Sequence, residues 1–132
     1  MSTQNDRVAA FRSLHSSGCF VMPNPWDAGS ARALEQFGFK ALATTSAGLA
    51  WTLGRADIDV TLDQTLEHLR VVVNAVDVPV NADFRDGFAV DPEQVAMNVT
   101  RTPMPALTAC TLPGSKLSSR SRQSSPQYHP SR

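Results

Sequence analysis

Residues 79–87 read Pro79-Val80-Asn81-Ala82-Asp83-Phe84-Arg85-Asp86-Gly87, a short strand-like run that ends in acids and a glycine. A strand that closes in carboxylates just before a helix sets them at the C-terminal rim of a parallel sheet, where α/β folds keep their active sites. Asp83 is the first candidate for a metal-facing residue. Aspartate is also common in such loops because it accepts turns and caps helices, so both readings stand on these residues alone.

Working outward, the neighbouring segments spell a repeat. Downstream, Asp91-Pro92-Glu93 has the form of a helix start, with an N-cap, a proline at the first helical position and an early acid. Val95 and Val99 would face inward on that helix. Upstream, Thr61 and Gln64 have capping-box spacing and open a helix from Leu62 to about Val76. Its Leu62, Leu66, Leu69, Val73 and Val76 form one apolar stripe, while Glu67, His68 and Arg70 fall on the expected solvated face.

Ala41–Thr45 reads as a second strand, followed by a small-residue turn, Ser46-Ala47-Gly48-Leu49-Ala50, where backbone N–H groups can approach an anion. A tight turn without a ligand explains the same residues. Before it, Asp27 is placed to cap a helix over 28–37 with Ala31, Leu34 and Phe37 inward and Gly38 as its stop. Cys19-Phe20-Val21-Met22, bounded by Pro23 and Pro25, reads as a strand buried on both faces. Residues 3–17 read as a first helix. The order is a helix and then strand–helix three times, the pattern of a parallel α/β fold.

The formal net charge of zero hides an asymmetry. Residues 1–101 carry eight Lys/Arg against all twelve acids, a net of −4, and residues 102–132 carry four Lys/Arg and no acid, a net of +4. That second segment also holds five of nine prolines and seven serines without periodicity, so disorder is expected there. Its cations are too thinly spread, with Tyr128 the one aromatic, to suggest nucleic acid as a partner. Cys19 and Cys110 are too few for a disulfide framework and show no metal spacing. No run approaches the ~20 apolar residues of a membrane span. A reduced, cytoplasmic setting is expected.

Several motifs in order carry a resemblance. Pro23-Asn24-Pro25-Trp26-Asp27-Ala28-Gly29-Ser30-Ala31-Arg32, then Ala43-Thr44-Thr45-Ser46-Ala47-Gly48-Leu49-Ala50, then Gly54 and Asp57, then Pro79–Asp83 with Gly87, resemble the N-terminal part of the isocitrate lyase/phosphoenolpyruvate mutase superfamily. Its small bacterial members include 2-methylisocitrate lyase-like and carboxyphosphonoenolpyruvate phosphonomutase-like proteins. The resemblance covers about residues 7–101 and implies a truncated (β/α)8 TIM barrel of about three strand–helix units. It also implies a homo-oligomeric, Mg²⁺-dependent lyase or phosphonomutase acting on a small 2-oxo or tricarboxylic acid, in which a C–C or P–C bond breaks next to an enolate. By position, Thr45, Ser46, Ala47 and Gly48 match the loop that grips the substrate carboxylate. Asp57 matches an acid that serves the metal through its waters, and Asp83 matches the first acid of the metal motif. Asp27 matches an acid that organises the loop after strand one.

Three departures follow. Arg85 stands where the family has a second metal-side acid; a guanidinium ~5 Å from Mg²⁺ at an effective dielectric of ~20 would repel it by roughly 6–7 kcal/mol. It must therefore swing away, or the ion binds weakly, and Asp86 points elsewhere. Next, the motif-level resemblance stops near Arg101, and residues 102–132 offer no counterpart to the family's metal-linked glutamate or its mobile loop with Lys, Cys, Gly and His. No catalytic residue is carried over, so an inactive chain or a non-catalytic fragment that joins another barrel chain is the alternative reading. Last, the codons of Pro103–Cys110, read two bases along, can spell Ala-Asp-Ala-Gly-Val-Asp-Gly-Leu, a family-like approach to strand four. A frame-shifted tail is the expectation.

Overall fold

The structure, a computed structural model, describes residues 3–103 and the main chain of 109–111. Three short parallel strands form a sheet in the order β1 (Leu42–Ala43), β2 (Val80–Asp83), β3 (Ala109–Thr111). Leu42 lies beside Val80 and Ala43 beside Asn81, while Asn81, Ala82 and Asp83 pair with Ala109, Cys110 and Thr111. Helices α1 (Gln4–Leu14) and α2 (Ala28–Gln36) precede β1, α3 (Ser46–Thr52) and α4 (Leu62–Ala75) lie between β1 and β2, and α5 (Pro92–Thr100) lies between β2 and β3.

The helix starts follow from side-chain caps. Thr3, Asp27 and Thr61 each close a capping box, with Asp6, Ser30 and Gln64 respectively, and Asp91 caps α5 ahead of Pro92. Each cap satisfies N–H groups that the first helical turn leaves without partners. At the far end of the sheet, Glu35 accepts from the N–H groups of Asp77 (2.7 Å) and Val78 (3.1 Å), which fixes the turn that delivers the chain into β2. Arg7 reaches the Val73 carbonyl at 3.3 Å and holds α1 to the end of α4.

The core is the apolar side of α4 pressed between α2 and the sheet: Ala31, Leu42, Leu66, Leu69, Val72, Val73, Val76, Val80, Ala82 and Phe84. A smaller cluster, Leu49, Ala50 and Val60, sits under α3.

Several expectations are corrected. Residues 19–22 form no strand, and Val21 is 68% exposed. Pro23 and Pro25 lack the N–H groups a ladder requires. What remains is one bond from the Ala43 N–H to the Pro23 carbonyl (3.0 Å), and the Asn24 side chain supplies the missing donor to the Ala43 carbonyl at 3.0 Å.

The expected turn at Ser46–Ala50 is helix α3, because Thr45 turns the chain by accepting from the Gly48 N–H. Phe37 is exposed at the C-cap of α2, since the helix ends before its inward face returns. His68 is buried instead of solvated, because α4 is covered by α2 and α3 as well as by the sheet. Within the segment expected to be disordered, Ala109–Thr111 forms β3: the open edge of β2 pairs with backbone and needs no side-chain periodicity. Residues 104–108 and 112–132 lie outside the described residues, and with them most of the expected tail.

Candidate functional site

Asp83 ends β2, and its position is fixed from three sides. Its N–H donates to Thr44 Oγ1 (3.0 Å), its Oδ2 accepts from the Ser46 N–H (3.0 Å), and its Oδ1 accepts from the Arg85 N–H (3.2 Å). The carboxylate is therefore aimed across the sheet rim toward the start of α3. Asp57 arrives from a different segment, a single 3-10 turn over Asp57–Asp59 between α3 and α4. Its Oδ2 lies 3.4 Å from Ser46 Oγ, a long contact, and its Oδ1 is buried with no hydrogen-bond partner.

Ser46 thus touches both acids, one through its main chain and one through its hydroxyl. Thr45 is the N-cap of α3 and its hydroxyl is spent on the Gly48 N–H at 3.2 Å. A Cβ at Gly48 would come within 2.5 Å of Thr45 Cγ2, so this turn closes only with glycine. Ala47 is half-buried on the same helix. Two N–H groups expected to grip a ligand, those of Ser46 and Gly48, are engaged inside the chain.

Arg85 swings away from the carboxylates. Its Nη1 donates to the main-chain carbonyls of Asp57 (3.0 Å) and Val60 (3.3 Å), and its guanidinium carbon sits 5.1 Å from the centre of the Phe88 ring. Asp86 is occupied in accepting from the Phe88 N–H (3.1 Å). Gly87 has φ +73°, and its carbonyl accepts from the buried Asn98 side chain at 2.8 Å. Asp27 organises its loop through Ser30, whose N–H and hydroxyl hold its carboxyl below the ordinary carboxylate range.

Magnesium is bound through one or two carboxylates with water completing its shell. Asp57 and Asp83 fit that donor set: they meet at Ser46, and the Asp57 Oδ1 is a buried carboxyl oxygen with no hydrogen-bond partner among the described residues. Among the described residues, no third His, Cys, Asp or Glu joins them.

A sequence profile described as phosphoenolpyruvate phosphomutase matches residues 11–128. The chain belongs to that family. The profile runs past Arg101, where the motifs stop. A Burkholderia cenocepacia J2315 protein assigned to the lyase/mutase class is 41% identical and superposes with a TM-score of 0.79, over 83% of this chain and 40% of that one. 2,3-Dimethylmalate lyase, a PEP mutase/isocitrate lyase superfamily member, is 29% identical with a TM-score of 0.68, over 83% of this chain and 39% of that one. An uncharacterized protein of Mycobacterium tuberculosis H37Rv is 33% identical over 88 residues, 66% of this chain and 34% of that protein. This member of the phosphoenolpyruvate phosphomutase family therefore spans about a third of the length of the curated relatives it matches, and about 40% of the first solved structure. Its fold is part of a TIM barrel.

Two features escaped the sequence. The contact of Arg85 with Asp57 and Val60 spans some 25 residues and has no local signal. The burial of His68 follows from a third helix on α4, which periodicity within one helix does not reveal.

Proposed function

We propose that this chain carries the metal- and carboxylate-binding rim of a carbon–carbon lyase or phosphonomutase acting on a small 2-oxo or tricarboxylic acid of the 2-methylisocitrate type. The observation that carries this reading is the meeting of Asp57 and Asp83 at Ser46, with a buried carboxylate oxygen lacking a donor. Asp57 and Asp83 would hold Mg²⁺, directly or through its waters. The ion would neutralise charge building on the oxo-acid oxygens.

The chain's own groups do the positioning. Ser46 keeps the two acids together, Thr45 and Gly48 set the start of α3, and Ala47 continues the rim where the substrate carboxylate would lie. Proton transfer is a separate matter: among the described residues no His, Cys or Glu stands with the pair. Binding without appreciable turnover is therefore proposed for the chain alone.

The test is calorimetric titration of Mg²⁺ and Mn²⁺ with and without oxalate, a planar mimic of a 2-oxo acid enolate. Saturable binding that oxalate strengthens, and that Asp57→Asn and Asp83→Asn each abolish, is expected. Absence of binding with oxalate present, or binding indifferent to both substitutions, overturns the reading. Calorimetric binding of 2-methylisocitrate, isocitrate, oxaloacetate and phosphonopyruvate, with and without Mg²⁺, sorts the substrate, and product formation from any of them overturns the absence of turnover.

A second reading, association with another barrel chain, is supported by exposed apolar side chains: Trp51 78%, Ile58 79% and Val90 89%. Gel filtration at several concentrations separates a monomer from such an assembly.

A further inference from the structure

We infer that Arg85 is the positioning residue of the acidic pair, a tie that holds the Asp57 segment against the end of β2; this rests on the metal-binding reading above. Arg85 is attached to both acids and ion-paired with neither. Its N–H donates to Asp83 Oδ1, and its Nη1 donates to the carbonyl of Asp57 and to that of Val60, the residues that bracket the 3-10 turn. One residue therefore sets the orientation of the first carboxylate and the location of the second.

The tie has a firm base. The guanidinium lies over Phe88, and Phe88 packs edge-on against the fully buried Phe84 with ring centres 5.4 Å apart. The backbone at Arg85 (φ +49°) and at Phe88 (φ +58°) is left-handed without glycine, a conformation that costs free energy and persists only where surrounding contacts enforce it. One nitrogen, Nη1, meets both carbonyls, so a lysine ammonium could replace those bonds in part but not the flat guanidinium face over Phe88. Arg85 holds the Asp57 main chain, and among the described residues the Asp57 side chain itself reaches the rim only by the long Ser46 contact.

Two effects of removing the guanidinium have opposite signs, and this makes the inference testable. A cation near a divalent ion repels it, so Arg85→Met tightens binding if charge alone matters. If Arg85 places Asp57, Arg85→Met weakens binding although the charge is gone. On the full 132-residue chain, we expect Arg85→Met to lower Mg²⁺ and Mn²⁺ affinity about 10- to 100-fold, the usual consequence of losing an outer support of metal ligands. Arg85→Lys should recover part of that loss.

Amide exchange supplies a second readout. In Arg85→Met, residues 54–60 should lose protection while β1 and β2 keep theirs. Tighter or unchanged metal binding in Arg85→Met overturns the inference. Should the native chain bind neither ion, the metal reading fails and exchange alone decides Arg85: unchanged protection over 54–60 refutes it, and selective loss upholds it.

Discussion

His68 is 91% buried, and its wholly enclosed Nε2 has no hydrogen-bond partner among the described residues. Replacing it with leucine, His68→Leu, removes a polar group that folding strips of water without compensation, a cost of about 1–3 kcal/mol. The imperfect match of shape returns under about 1.5 kcal/mol. The net expectation at pH 8 is a gain of about 1 kcal/mol, or ~3–5 °C in Tm for a chain of this size.

The gain should widen in acid. Burial lowers the His68 pKa below its ordinary 6.5, and the charge of Asp27 opposes this only in part. Below pH 6.5 the unfolded chain takes up a proton that the folded chain refuses. Native stability therefore falls as pH drops from 6.5 toward the lowered folded value, by at most ~1.4 kcal/mol per pH unit. His68→Leu lacks this loss. Urea unfolding of both proteins at pH 8 and pH 5.5 measures the difference. A variant no more stable at pH 8, with the same dependence on pH as the native chain, would refute the account of His68 as an uncompensated buried base.

Gly87→Ala sets a methyl 2.6 Å from Val95 Cγ1 at a left-handed backbone position; a loss of about 2–4 kcal/mol is expected from strain and overpacking together, read by urea unfolding. Phe84→Ala removes a fully buried ring from under β2 and Phe88. It should cost about 3–5 kcal/mol, and amide exchange should show β2 losing protection with it.

Local chemistry was legible in the sequence wherever one segment decides its own conformation. Thr61 with Gln64, Asp27 before α2 and Asp91 before Pro92 start helices where their spacing says they should. The alternation through Val80 and Ala82 puts Asp83 at the sheet rim. The approach of Asp57 to Ser46 was accessible only through the motifs' resemblance, because helix α3 and a loop separate them. Long-range competition explains the misreadings. Apolar residues at 19–22 suggested a strand, yet what pairs with β1 is the proline-interrupted stretch after them, held by the Pro23 carbonyl and the Asn24 side chain. The stripe on α4 was read from one face, whereas three elements cover that helix and draw Thr65, His68 and Val72 inside as well.

Pairing along the far side of β2 is a dialogue of amides, in which Asn81, Ala82 and Asp83 stand in register with Ala109, Cys110 and Thr111. An edge of main-chain donors and acceptors is a template for an extended segment. The acid at its tip would stay where it is, since its anchors come from Thr44, Ser46 and Arg85.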